Sequence, residues 1–191
     1  RSDTVMMGYW NNPGATDEVI DVNGWLHTGD QAKIEQHHIS LTGRLKEIIV
    51  LSNGKKIPPS DMEASIIMDP LFEQVLIIGE NAPYLSALVV LDKTKWHNLA
   101  KQQNLDPNSP NRPQSQSYQK LQEILLARIE KNLKNFPGFA KVRVVCPILE
   151  SWTVENGLIT PTLKPKRKRI LNYFARQVEQ MYKDHPVFSG V

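Results

Sequence analysis

One cysteine, Cys146, stands among 191 residues. It has no partner for an internal disulfide, so a cystine-stapled secreted scaffold is excluded and a reducing, cytoplasmic setting is expected. Long apolar runs are lacking too, and nothing approaches the roughly 18 residues of a membrane-spanning helix. The opening Arg1-Ser2-Asp3-Thr4 has no signal-peptide pattern. A net charge of +3 is too small to argue for nucleic acid. Internal repeats are absent, as is any Ser/Thr/Gly-rich phosphate loop. His27, His37 and His38 lack metal-ligand spacing, so no metal site is expected. Ser52 and Ser151 lack a His/Asp constellation, which sets hydrolase chemistry aside.

What remains is a chain that is 40% hydrophobic, long enough for one core or for one domain plus part of another. Residues 1–42 read as short pieces. They comprise a turn at Asn11-Asn12-Pro13-Gly14, a helix over 15–22, and an antiparallel pair over 31–42 with Gln36-His37-His38 at its tip. Such a pair is marginal alone, so this stretch is expected to pack on other sequence. From Arg44 the pattern is that of a whole small domain. Asn53-Gly54 marks a hairpin between 47–51 and 55–57. Ser60 with Glu63 forms a capping box for a helix that buries Met62, Ile66 and Ile67 and stops at Asp69-Pro70. Strands are expected at 74–79, 86–92 and 142–146, the last closed by Pro147. Helices are expected at 93–103, along the stripe Tyr118, Leu121, Leu125, Ile129, Leu133, and at 167–183. Residues 104–117 read as a linker-like loop. This mixture predicts an α+β class.

The residues with chemical potential fall in a fixed order. Gly24-Trp25-Leu26-His27-Thr28-Gly29-Asp30 ends on a carboxylate. Gly43-Arg44-Leu45-Lys46-Glu47 follows, then Ser52-Asn53-Gly54-Lys55, and finally Gly157 to Lys164 with Thr160-Pro161-Thr162-Leu163-Lys164 as its end. A carboxylate such as Asp30 can accept hydrogen bonds from ribose hydroxyls. Arg44 can present a bidentate fork to ribose or phosphate, and Lys164 carries a point charge on a flexible stem. Taken singly, each has an ordinary rival: a turn aspartate, a solvated strand edge, a solvated helix start. The basic run Lys164, Lys166, Arg167, Lys168 and Arg169 opposes the helix dipole at the start of the last helix. That placement hints at a use for these charges, with a phosphate group or an anionic membrane as candidate partners.

Together with the lead-in Met6-Met7-Gly8-Tyr9-Trp10-Asn11-Asn12-Pro13, this order resembles the C-terminal portion of the AMP-forming acyl-CoA synthetases. That adenylate-forming family also holds luciferases and peptide-synthetase adenylation domains. The resemblance covers essentially the whole chain and, at Thr160–Lys164, is most like long-chain fatty-acid–CoA ligases. It implies that residues 1–43 end a larger N-terminal adenylation domain and that 44–191 form a mobile C-terminal domain, a small α+β unit with a hairpin and a mixed sheet packed by helices. It implies ATP/AMP binding by Asp30 and Arg44, a hinge at Lys46, an acceptor side at Ser52, Asn53, Gly54 and Lys55, and adenylation catalysis by Lys164. ATP and CoA are the implied co-substrates of a fatty acid. Mg²⁺ is expected to come with ATP and to be held mainly by the N-terminal domain. Gly14 replaces the family's usual Glu, altering only a helix start. With no phosphate loop or acyl pocket in these 191 residues, the chain is expected to be a fragment that is inactive alone. Two alternatives remain open: a fatty acyl-AMP ligase acting with a carrier protein, and a stand-alone non-catalytic interaction module.

Overall fold

The computed structural model describes residues 1–107 and 116–183. The chain divides after Ile48 into two compact units, 1–48 and 49–191. In the first, helix α1 spans Pro13–Val19, with Asn12 Oδ1 accepting from the Ala15 N–H and proline in the first turn. It ends earlier than the sequence pattern predicts because Ile20 bridges to Leu26. Asp21 then turns the chain, accepting from the N–H groups of Asn23 and Trp25 and lying 3.3 Å from His27 Nε2. Strands β1 (Asp30–Glu35) and β2 (His38–Arg44) pair antiparallel. Their turn is Gln36-His37, both at positive φ (49° and 66°), which matches the right-handed twist of the flanking strands. Leu45–Glu47 make one 3-10 turn.

The second unit opens with the hairpin β3 (Ile49–Val50) and β4 (Lys56–Ile57). Helix α2 (Pro59–Ile67) follows, and here the expected capping box is corrected. The helix starts on Pro59 with Pro58 at its cap and no side-chain cap bond, so Ser60 lies inside the helix. Glu63 is turned away to another task. Strands β5 (Phe72–Ile78), β6 (Leu85–Leu91) and β7 (Val142–Ile148) form one sheet in the order β5-β6-β7, antiparallel then parallel. The parallel pairing is reached through α3 (Lys93–Gln103) and α4 (Gln116–Asn132). Helix α3 is capped by Asp92 and ends at Asn104 in the left-handed conformation. The linker-like stretch 104–117 falls largely outside the described residues. Pro147 does not close β7. It sits inside the strand opposite Val89, at the edge of the sheet, where a missing N–H is tolerated. The final helix is two, α5 (Arg167–Tyr173) and α6 (Ala175–Lys183), broken at Phe174, which is buried.

Strand alternation sorts the core onto two faces. On one face Val75, Ile77, Ala87 and Val89 pack with Ile49, Leu51 and Ile57 of the hairpin, Met62 and Ile66 of α2, and Leu121, Leu125 and Ile129 of α4. On the other, Leu76, Leu88, Val90 and Cys146 pack with Trp152, Leu158, Ile159, Ile170, Phe174 and Met181. Gly79 lets the hairpin approach: a Cβ there would lie 2.7 Å from Leu85 and 3.1 Å from Leu51. Side chains also answer the outward backbone groups of both outer strands. Gln122 of α4 accepts from the Val145 N–H at 3.0 Å and donates to the Val145 carbonyl. Glu63 accepts from the Ile77 N–H at 2.7 Å, and Arg167 donates to the Ile77 carbonyl.

Candidate functional site: two loops on opposite faces of one sheet

Asp30 and Arg44 are cross-strand partners at the open end of β1–β2. Arg44 Nε lies 3.4 Å from Asp30 Oδ1, with the carboxylate half-buried and the guanidinium exposed. Gly29, at φ 71°, makes the bend that starts β1, and its carbonyl accepts from the Leu45 N–H at 2.8 Å. The two residues singled out in the sequence for a nucleotide, with thirteen residues between them, are therefore adjacent in space. Lys46 is exposed in the 3-10 turn, two residues before the chain leaves the first unit.

Ser52, Asn53, Gly54 and Lys55 form the exposed tip of the β3–β4 hairpin. Gly54 is at φ 78°, its N–H donates to the Leu51 carbonyl at 2.8 Å, and Asn53 Oδ1 accepts from the Lys55 N–H at 3.1 Å. Nothing lies within 4 Å of where a Gly54 Cβ would be. The tip is tied to its surroundings at two points: the Ser52 N–H donates to Ala82 O at 3.0 Å, and Lys55 Nζ sits 4.8 Å from the centre of the Phe139 ring. Neighbours of both anchor points, including Pro83, Tyr84, Gly138 and Lys141, line a groove of about 850 Å³ beside α4.

Lys164 ends a tightly closed loop. Thr160 N–H donates to the Lys164 carbonyl at 2.9 Å, and Thr160 Oγ1 accepts from the Lys164 N–H at 3.0 Å. Leu163 is left-handed at φ 61° although not glycine, a local strain held by the Leu163 N–H to Thr160 O bond. Below the loop, Ile159 bridges Pro165 and Lys166 N–H donates to Leu158 O, with Leu158 and Ile159 both buried. The Arg169 guanidinium lies against Gly157, where a Cβ would meet it at 2.9 Å. Lys164 Nζ is exposed and has no hydrogen bond or ion pair among the described residues.

The five cations at 164–169 are thus not one solvated patch. Arg167 is engaged with Glu63 at 2.6 Å and with Ile77 O, and both side chains of that ion pair are largely shielded. Sequence spacing gave no sign of this pair, because its members are 104 residues apart. Thr160 was likewise read only as part of a run, not as the residue that closes the lysine loop. Among the described residues no group of three or more His, Cys, Asp or Glu could hold a metal ion, and no helix is long and apolar enough to cross a membrane.

A pair of exposed loops on a small α+β unit, following a strand pair that ends in an Asp–Arg contact, defines a class that sequence comparison identifies. The family described as AMP-binding enzyme C-terminal domain matches residues 46–186, and the chain belongs to it. Among curated relatives, the long-chain-fatty-acid–CoA ligase FadD15 of Mycobacterium tuberculosis is 30% identical over 185 residues, covering 95% of this chain and 30% of its own. The chloroplastic long-chain-fatty-acid–acyl-carrier-protein ligase AEE15 of Arabidopsis thaliana is 28% identical over 195 residues, with 95% and 24% covered. Among solved structures, the A domain of carboxylic acid reductase from Segniliparus rugosus, in complex with AMP and a co-purified carboxylic acid, superposes with a TM-score of 0.78. It is 23% identical and is covered over 95% of this chain and 27% of its own. The chain spans about a quarter to a third of the length of the relatives it matches.

Proposed function

We propose that this chain is the distal part of a fatty-acid–CoA ligase. In the first step a fatty-acid carboxylate oxygen attacks the α-phosphorus of ATP, and the bond to pyrophosphate breaks, leaving acyl-AMP. In the second, the thiol of CoA attacks the acyl carbonyl, forms the thioester and expels AMP. Residues 1–43 would close an N-terminal domain that holds ATP with its Mg²⁺ and the acyl chain; among the described residues of this chain no group of three or more His, Cys, Asp or Glu could hold the ion. Asp30 accepts from the ribose hydroxyls while Arg44, already 3.4 Å away, orients it and reaches ribose or phosphate. Lys164 offsets the charge that develops on the phosphorus-bound oxygens as pyrophosphate departs. Residues 44–191 then turn about Lys46 and present the hairpin at Gly54 to the pantetheine arm. The setting is the reducing cytoplasm, and exposed Lys168 is a group that would meet an anionic membrane or the 3′-phosphate of CoA.

One observation carries this reading. The loop of Lys164 is anchored in the core on one face of the β5-β6-β7 sheet, and the hairpin of Gly54 in the core on the other. A rigid unit cannot put both against one adenylate at once, so two steps require two poses. In the complete ligase, Lys164→Ala should slow acyl-AMP formation roughly 10²–10³-fold and leave thioester formation from supplied acyl-AMP largely intact. Gly54→Leu should do the reverse. Single-turnover measurement of each half-reaction decides: equal damage to both by either variant rejects the two-pose assignment. A second reading, transfer to a carrier protein, is supported by the similarity to the acyl-carrier-protein ligase. Replacing CoA with a holo carrier protein in the second half-reaction separates the two acceptors.

A further inference from the structure

Arg167 and Glu63 connect the two loops just described. Arg167 lies three residues beyond Lys164 at the start of α5. Glu63 lies six beyond Ile57, the last residue of β4, on a helix whose approach is stiffened by Pro58 and Pro59. The two side chains meet over the outer side of β5. Glu63 Oε1 accepts from Arg167 at 2.6 Å and from the Ile77 N–H at 2.7 Å, while Arg167 also donates to the Ile77 carbonyl. Three hydrogen bonds thus close a ring through one backbone residue. The Arg167 and Glu63 side chains are only 21% and 14% exposed, so water competes poorly for them. α2 belongs to the core on the hairpin's face and α5 to the core on the lysine loop's face. Apart from the sheet itself, this ring joins the two.

We infer that Arg167, held by Glu63, is a positioning residue for Lys164. This rests on the assignment of Lys164 to adenylation. Arg167 itself touches no substrate: its guanidinium is spent on Glu63 and Ile77. Its role is to fix the first turn of α5 and so the direction in which the short segment 164–166 leaves the loop. An ångström of slack at that point is enough to cost a large factor in rate, since the ammonium has to meet charge that exists only in the transition state.

The experiment is a double-mutant cycle in the complete ligase, using Arg167→Gln and Lys164→Ala with each half-reaction measured below the melting temperature of every variant. Arg167→Gln should lower kcat for acyl-AMP formation roughly ten- to a hundred-fold, leave KM for ATP within about twofold, and change thioester formation from supplied acyl-AMP by less than about threefold. In the Lys164→Ala background the same change should cost almost nothing further, because a positioning residue has nothing left to position. Arg167→Lys keeps the charge but loses the fork, and should recover only part of the rate. If Arg167→Gln lowers the yield of folded enzyme, Arg167→Lys takes its place in the cycle. Additive losses in the double variant, or equal loss in both half-reactions, overturn the inference. If Lys164→Ala alone leaves adenylation unchanged, the failure belongs to the function proposed for Lys164 instead.

Discussion

Leu88 and Ile34 are both aliphatic strand residues in antiparallel pairs, yet Leu88 has no exposed surface and Ile34 is 72% exposed. The contrast extends to the units that hold them. Every described residue of the buried core lies at or beyond Ile49. The first 48 residues display Met7, Trp10, Val22, Trp25, Ile34, Ile39 and Leu41 instead. The alternating pattern along β1 and β2 is therefore the pattern of a strand pair whose apolar side has no cover within its own unit. Two strands without a covered face are marginal in water. The sheet of the second unit is covered on both faces and stands on its own core. The second unit carries its two candidate loops on a covered sheet, while the first has no buried core of its own among the described residues.

The largest consequence concerns activity and order together. The 191-residue chain by itself should release no pyrophosphate from ATP and palmitate above a blank without protein. Its amides in β5, β6 and β7 should be protected from hydrogen exchange by orders of magnitude more than those of β1 and β2. Equal protection of the two sets would erase the contrast. Cys146 gives an independent reading, since burial pushes its thiol up to about 12. A thiol reagent should label it only as fast as the second unit opens.

Truncation should divide the units by a smaller but measurable amount. Leu88→Ala removes a side chain enclosed on the inner strand and should cost about 2–5 kcal/mol in denaturant melts. Ile34→Ala in the isolated chain should stay within about 0.5 kcal/mol. A loss above about 1.5 kcal/mol at Ile34 would mean that β1–β2 is covered after all.

The smallest effect is a dependence on alkaline pH confined to the second unit. Burial, opposed in part by the bond from Ser86 and reinforced by neighbouring Tyr84, pushes the Tyr182 phenol from 10.0 up to about 12. On raising the pH, the unfolded chain loses this proton first. The stabilisation is thus whole below about pH 10 and is lost as pH climbs through about 12. Urea midpoints at pH 9, 10 and 11 should fall in that order, the Cys146 thiol, raised from 9.0 to about 12, adding to the same slope from the lower pH, and Tyr182→Phe should flatten it only in part, above about pH 10.

Local signals carried most of the elements. The apolar β-branched runs marked β5 and β6, Asn53-Gly54 marked the hairpin, and α3 was bounded within a residue by its own caps. Failures came where a partner lay far along the chain. Ser60 and Glu63 have the spacing of a capping box, but Glu63 meets Ile77 and Arg167, 14 and 104 residues away. Pro147 reads as a strand end until the strand is known to be outermost. Phe174 sits in phase with one long helix, yet its burial coincides with the break between two. In the candidate site, charge pattern alone favoured ordinary roles for Asp30, Arg44 and Lys164. Only the order of the motifs singled them out, and the supports of Lys164 at Thr160 and Arg167 had no comparable signature.

The side chains that answer Ile77 and Val145 have a bearing on life at high concentration. A three-stranded sheet has two open borders, and each is a template on which a foreign strand can add and begin aggregation. Here Glu63 with Arg167 occupies one border and Gln122 the other, each standing in for the strand that would otherwise be recruited. On the proposed two-pose cycle, the second unit would be bared to solvent each time it turned. With one border occupied near the end of β5, at Ile77, and the other at the middle of β7, at Val145, an added strand would find neither free along its whole length.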